Sequence, residues 1–341
     1  MTSHLHSARR PRLDAATAAV RLGVRRSLEN CADGSAVLAC VSGGADSMAL
    51  AAALAFEASP LSIRVHSITV DHGLQTGSDA VAHRTADTLT SWGIDAQITR
   101  VHVTEGGGPE AAARDARYRA IDEEAERIGA DLVLLGHTLD DQAETVLLGL
   151  ARGSGAGSLK GMAPLTGRYA RPLLGVRREQ TRASCVARGI EVWDDPQNGD
   201  AVFTRVRVRN RVLPVLEQEL GPGIAEALAR TAEQSREDED AFEQMIEEFI
   251  EEVCEPAEAG IAVEVSALEH NPAALRHRLI RYIAHAEFGA SLSRSHTLAI
   301  AALVTDWRGQ GPIDVPGIAV SRTGGRIVFT AAGKTPPRQG T

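Results

Sequence analysis

The sequence predicts an α/β protein: a doubly wound, mainly parallel sheet, followed by a second, smaller and mainly helical domain. Three observations predict it. Short apolar runs alternate with longer amphipathic stretches through the first 150 positions. Two of the runs end in glycine-containing turns that lead directly into a helical pattern, at Ser42–Ser47 and at Gly136–Thr145. After Leu150 the alternation stops, and a chain of 341 residues is long enough for two average domains.

The elements follow in order. Asp14–Cys31 reads as a helix, Ala36–Val41 as a buried strand and Asp46–Ala58 as a helix. Ile63–Val70 is a second strand, Ser78–Trp92 a helix, and Ala96–Val103 a third strand. Pro109–Ile128 is helical, Leu132–Gly136 a fourth strand and Asp140–Ala151 a helix. Strands separated by helices of this length require right-handed crossovers, hence a parallel sheet covered on both faces. Ligands of such sheets bind at the carboxyl ends of the strands. The segment Gly153–Gly167 is rich in Gly and Ser and reads as flexible; an Arg-rich extension occupies about 168–214. Gly221-Pro222-Gly223 breaks two helical patterns and sets the expected boundary: a catalytic domain over 1–220, a helical domain over 221–332 and a disordered tail over 333–341. Within the second domain Ala225–Val253, Ala273–Phe288 and Ser295–Trp307 read as helices, with β-like pieces at Ile313–Val315, Ile318–Val320 and Ile327–Phe329.

Composition excludes several classes. The longest apolar run, Met48–Phe56, is too short for a membrane span, and no apolar stretch follows Arg9, Arg10 and Arg12, so a soluble cytoplasmic protein is expected. Cys31, Cys40, Cys185 and Cys254 are scattered with no zinc or disulfide spacing. The net charge of −9 is uneven: residues 233–258 hold twelve acids against one base, whereas 168–211 holds ten Arg against five acids. A basic stripe suited to a polyanion therefore exists inside an acidic total. Lysine occurs only at 160 and 334, an imbalance best explained by genomic base composition.

The sharpest motif is Val41-Ser42-Gly43-Gly44-Ala45-Asp46-Ser47, between a buried strand and a helix. Adjacent glycines let the backbone turn tightly and bring amides up to phosphate oxygens, which then lie at the positive end of the helix. Ser42 and Ser47 offer extra hydroxyl donors. No Lys follows the glycines, so the loop is not the type that grips a γ-phosphate; the plainer reading is a glycine turn with Asp46 or Ser47 as N-cap. The second motif is Gly136-His137-Thr138-Leu139-Asp140-Asp141-Gln142-Ala143-Glu144-Thr145. Asp140 and Glu144 share one helix face and can converge on an ammonium group or, with Asp46, on Mg²⁺. The plainer reading is a capping box, Asp141-x-x-Glu144. Val70-Asp71-His72-Gly73-Leu74 places His72 on the ligand side of the sheet. Arg114 and Arg117 share one side of a helix, where a solvated face is the competing reading. Alternate arginines in Phe203-Thr204-Arg205-Val206-Arg207-Val208-Arg209-Asn210-Arg211, after Trp193-Asp194-Asp195-Pro196-Gln197-Asn198, could line a phosphate-binding groove.

The Ser-Gly-Gly-x-Asp-Ser string resembles the signature of PP-loop ATP pyrophosphatases, which release AMP and pyrophosphate. Thiolation, amidation and lysine transfer all remain open on that string alone. The motifs taken in order, with Arg152-Gly153 through Lys160-Gly161-Met162 and Arg171-Pro172-Leu173-Leu174, resemble the bacterial tRNA(Ile)-lysidine synthase family over about residues 35–215. Thr138 departs from the family's usual second His or Asn, and Val206-Arg207 interrupts its usual Arg-Asn run. The C-terminal region resembles the family's helical tRNA-facing domain, and the chain is expected to stop short of the further domain of longer members.

The resemblance implies ATP as co-substrate with Mg²⁺, and as partners L-lysine and an isoleucine tRNA with a CAU anticodon. No membrane partner is implied. A homodimer is compatible with the sequence, which leaves the oligomeric state open. By the same resemblance Ser42, Gly43, Gly44, Ala45, Asp46, Ser47 and His72 bind ATP and its pyrophosphate, with Asp46 as the Mg²⁺ ligand. Asp140 and Glu144 hold the lysine amine, supported by His137 and Asp141, while Arg114, Arg117 and Arg205 contact the activated base or tRNA. The competing functions are a thiolating tRNA enzyme, an amidating synthetase and a nucleotide-binding regulator without chemistry.

Overall fold

The computed structural model describes residues 13–73, 77–101, 109–153, 155–257 and 260–332; the expected tail at 333–341 lies outside them. Two compact units divide the chain, Met1–Arg236 and Glu237–Thr341.

The first unit runs α1 (Ala15–Leu28), β1 (Ala36–Cys40), α2 (Ala45–Ala58), β2 (Arg64–Asp71), α3 (Ser78–Ser91), β3 (Asp95–Arg100), α4 (Pro109–Ile128), β4 (Leu132–Leu134) and α5 (Leu139–Arg152). It continues with β5 (Leu165–Thr166), β6 (Tyr169–Ala170), α6 (Arg178–Ala187), α7 (Thr204–Arg207), α8 (Leu213–Leu220) and α9 (Ile224–Val253). The strands form one sheet in the order β3-β2-β1-β4-β6-β5, parallel except for the β5–β6 hairpin. Because strand side chains alternate between faces, β1 sends Val37 and Ala39 into one core with Leu50 and Leu54 of α2, and Leu38 into another with Ile121 of α4. Each fully buried Leu contributes about 1.5–3 kcal/mol of transfer free energy. α1 begins where Asp14 accepts the Thr17 amide (2.8 Å), and its Val20, Val24 and Leu28, four apart, enter the same core as α2.

The two-residue β5 and β6 and the helix α6 were not resolved from the sequence. β5 and β6 are too short for periodicity to reveal them, and α6 is rich in polar residues. Between α7 and α8 the chain makes one π-helical turn, Val208–Val212, in which the Leu213 amide bonds Val208 O five residues back. Pro214 follows and has no amide to continue the regular ladder.

The second unit comprises the latter part of α9, then β7 (Cys254–Ala257), β8 (Gly260–Glu264), α10 (Val265–Glu269), α11 (Ala273–Phe288), α12 (Arg294–Thr305), β9 (Ile313–Val315), β10 (Ile318–Thr323) and β11 (Arg326–Ala331). The three β-like pieces read from the sequence are β9 and the cores of β10 and β11. With β7 and β8 they form an antiparallel sheet in the order β7-β8-β11-β10-β9. Phe329 at its centre is fully buried in a cluster with Leu279, Ile280 and Ile300 from the helices. The units divide inside α9, past the Gly221–Gly223 break, because the helix changes core along its length. Ala225, Leu228 and Ala229 join a cluster with Leu139 and Ala143 of α5, whereas Phe242, Ile246 and Phe249 join the second unit's core. Among the described residues no helix is long and apolar enough to cross a membrane.

Candidate functional site

In the first sheet the chain winds outward from β1 to β3, then returns to place β4 on the other side of β1. Such a reversal opens a crevice beyond the strand ends. A cavity of about 660 Å³ lies there, bordered by the segments that follow β1, β2 and β4.

The loop after β1 leads straight into the N-terminus of α2. Gly43 takes φ +85°, a backbone that side chains avoid, and Gly44 caps α2 without using a side chain. The first-turn amides of α2 are thereby left without helical partners and face the helix's positive end outward. Ser42 is exposed, but Ser47 is not a free donor: it accepts the Ser42 amide (3.1 Å) and donates to Gly44 O (2.9 Å), bracing the loop. Gly136, after β4, sits so close that an added Cβ would meet the Ser47 Cα and N at 3.2 Å. Gly43 is equally confined, since a Cβ there would lie 2.8 Å from the Thr85 hydroxyl. Gly43→Ala is therefore expected to lose about 1–2 kcal/mol from the left-handed backbone alone. Thermal unfolding of the purified variant measures the loss.

α5 begins with a capping box, one turn earlier than Asp141-x-x-Glu144. Thr138 accepts the Asp141 amide (3.4 Å), and Asp141 in return accepts the Thr138 amide (2.8 Å) and hydroxyl (2.7 Å). Thr138, the departure from the family pattern, thus serves as N-cap, a position that favours Thr. Glu144 is freed from capping and fully buried. It binds Arg209 by two bonds (Nε 2.7 Å, Nη2 3.1 Å), Arg205 (3.0 Å) and Arg178 (3.3 Å). Asp141 also accepts Arg178 (2.8 Å) and Arg209 (3.3 Å), and Asp140 accepts the Arg178 amide (2.7 Å) and Arg177 (3.3 Å). Asp46, across the crevice, binds the Thr181 hydroxyl and Arg178 Nε (3.3 Å). The four acids therefore meet guanidinium groups, and Arg205 anchors to Glu144 and Thr145 (2.6 Å) rather than pointing freely outward.

The electrostatics follow from this packing. Burial pushes Asp46 above the ordinary carboxylate range, against Thr181 and Arg178. Burial pushes Asp141 the same way, but Arg178 and the Thr138 bonds outweigh it and hold the carboxyl low. Burial lowers His137 to about 4, despite nearby Asp141, so its imidazole is neutral at pH 7 and its buried Nδ1 has no partner. A histidine whose folded pKa lies below its unfolded 6.5 binds its proton more weakly when folded. Its stability contribution is present above pH 6.5 and is lost as pH falls toward 4. His137→Gln is accordingly expected to flatten the rise of stability between pH 4 and 6.5, measured as urea midpoints across that range. His72 is depressed by burial and then by Arg117, whose Nε donates to His72 Nε2 (3.3 Å); its buried Nδ1 is also unpartnered. Arg114 lies over the Tyr118 ring (5.0 Å) and, with Arg117, borders the cavity.

The structure brings Ser42, Gly44, Ala45, Asp46, Ser47, His72, Arg114, Arg117, His137 and Asp141 around one cavity; Gly43 turns the loop behind them. Asp140 and Glu144 instead border a smaller one of about 160 Å³, with Arg177, Glu217 and the apolar Leu213, Pro214 and Ala225. Arg209 borders both. Sequence reasoning missed Arg178 and Thr181 of α6, and the role of Trp193, whose amide donates to Gly43 O (2.9 Å). Their only signal was an Arg-rich stretch without periodicity. Cys40 also borders the large cavity, but burial pushes its thiol up to about 12, and that of Cys185 to about 11.

Residues 18–216 match the PP-loop domain family, and residues 264–328 match the TilS substrate binding domain. The tRNA(Ile)-lysidine synthase of Leifsonia xyli subsp. xyli is 57% identical over 87% of this chain and 90% of its own length. That of Streptomyces coelicolor is 51% identical over 86% and 84%. Among solved structures, the U34-tRNA thiolase NcsA from Methanococcus maripaludis, with its [4Fe-4S] cluster, superposes with a TM-score of 0.54 at 18% identity. That likeness covers 64% of this chain and 79% of that one, and speaks for the fold alone.

Proposed function

The chain belongs to the tRNA(Ile)-lysidine synthase family, and from that premise we propose that it ligates L-lysine to C2 of cytidine 34 in the CAU anticodon of isoleucine tRNA, using ATP. The observation that carries the reading is the pairing of two unlike cavities across one arginine. The larger offers amides, hydroxyls and arginines, as a nucleotide and an RNA base require. The smaller offers three carboxylates, two guanidinium groups and apolar walls, a lining suited to the charged ends and methylene stem of a free lysine.

In the first step the C2 oxygen of the base attacks the α-phosphorus of ATP, and the bond to pyrophosphate breaks. The α2 amides and the Ser42 hydroxyl stabilise the departing charge. His72 and His137 border the larger cavity, and they are the residues proposed to flank the nucleotide or base. Mg²⁺ would add neutralising charge on the pyrophosphate. Asp46, at the start of α2 on the border of the larger cavity, is the residue that would hold the ion, with phosphate oxygens as the further ligands.

In the second step the lysine ε-amine attacks C2, and AMP leaves with its oxygen. The amine must be held and deprotonated before attack. Asp140, 24% exposed at its side chain, is the carboxylate that meets it; Glu144, saturated by arginines, holds the wall in place. The second unit adds a basic edge for tRNA. Arg281 and His277 are both depressed, by burial first and then by neighbouring cations including Arg294, a repulsion that a polyanion relieves. Thiol-based chemistry is disfavoured by Cys40 and Cys185, which stay protonated at neutral pH.

The test is incorporation of radiolabelled lysine into purified isoleucine tRNA with a CAU anticodon, with and without ATP. ATP-dependent label is the expected result. Pyrophosphate release stimulated by the tRNA, but without label, would overturn lysine as the nucleophile.

A further inference from the structure

Arg178 stands where the two half-sites meet. Its guanidinium reaches three carboxylates on two elements: Asp46 through Nε (3.3 Å), Asp141 through Nη2 (2.8 Å) and Glu144 through Nη1 (3.3 Å). Its amide takes a fourth, Asp140 (2.7 Å). Asp46 lies in the first turn of the helix after β1, whereas the other three lie in the first two turns of the helix after β4. Among the described hydrogen bonds, no other side chain joins acids of both helices. Its aim is set locally, because Arg178 opens α6 and its carbonyl accepts the Thr181 hydroxyl (2.7 Å) that also bonds Asp46.

We propose that Arg178 is a positioning residue that couples the two half-reactions, holding the nucleotide-side Asp46 and the lysine-side face of α5 at one fixed separation. The proposal rests on the functional reading above. A guanidinium can do this and an ammonium cannot, since three carboxylates in different directions need a planar fork with several donors. Each carboxylate of the fork has another partner. Without it Asp46 keeps Thr181, Asp141 keeps Thr138, and Glu144 keeps Arg205 and Arg209. What is lost is the register between the two helices, and a misplacement of about 1 Å can cost about 10²-fold in rate.

The experiment compares full-length wild type, Arg178→Ala and Arg178→Lys in tRNA-stimulated pyrophosphate release and lysine incorporation, with and without added guanidinium. For Arg178→Ala the expected result is a fall of about 10²-fold in kcat for pyrophosphate release, with the KM for ATP little changed. Guanidinium is expected to restore about tenfold by reoccupying the bridge, a recovery that lost packing would not show. Arg178→Lys, which keeps the charge, should remain slow, and it carries the test if Arg178→Ala melts early. Near-wild-type pyrophosphate release in either variant, or a loss that guanidinium does not restore in a folded Arg178→Ala, overturns the proposal. Wild-type enzyme that releases pyrophosphate but incorporates no lysine removes the lysine reading instead, and the pyrophosphate ratios still judge Arg178.

Discussion

A Glu144→Ala variant is expected to be less stable by about 3 kcal/mol, the low end for breaking a buried ion pair. The low end applies because the three guanidinium groups bound to Glu144 keep 21–38% of their side-chain surface in water, while Glu144 itself is fully buried. Arg178 and Arg209 retain Asp141, so Arg205 is the group left without a carboxylate. Urea denaturation of the purified variant measures the loss. Lysine transfer is expected to suffer more than adenylation, since Glu144 borders the smaller cavity and not the larger. Comparing pyrophosphate release with lysine incorporation separates the two. Equal losses in both would show that Glu144 supports the whole site rather than its lysine half.

Asp46→Ala is expected to remove adenylation, with a drop of at least about 10²–10³-fold in pyrophosphate release, the scale of losing one charge-stabilising group. Thr181 and Arg178 would lose their shared acceptor, yet Arg178 keeps Asp141 and Glu144, so the fold should persist. Burial lifts the Asp46 carboxyl above its ordinary range, so it ionises later than a surface acid as pH rises. A variant that still releases pyrophosphate at the wild-type rate would take Asp46 out of the chemistry.

The site was legible where chemistry coincides with local sequence. Ser42–Ser47 and Gly136–Glu144 announce themselves because a glycine turn between strand and helix has few other uses. His72 could be placed on the ligand side because it follows a strand end. The partners of the acids were not legible. Arg178 lies 132 residues from Asp46 along the chain, and Arg209 lies 65 residues from Glu144. No periodicity connects such positions. The π-helical turn that carries Arg209 toward Glu144 follows from hydrogen bonding five residues apart, which the sequence marks only by Pro214. Asp140 and Glu144 share a helix face, as their spacing requires, but the cations on that face are arginines of this chain.

By itself the sequence determined the parallel sheet, the anion-binding loop, the acidic helix start after the fourth strand and the family likeness. All of these rest on residues close together in the chain, where steric limits and side-chain periodicity act directly. Only the tertiary structure decided which arginines neutralise which carboxylates, that Thr138 caps α5, that Ser47 braces its own loop, and that α9 changes core at Arg236. Those outcomes depend on which distant segments share a desolvated space, because a buried charge must find a partner and the chain's order does not say which one is near.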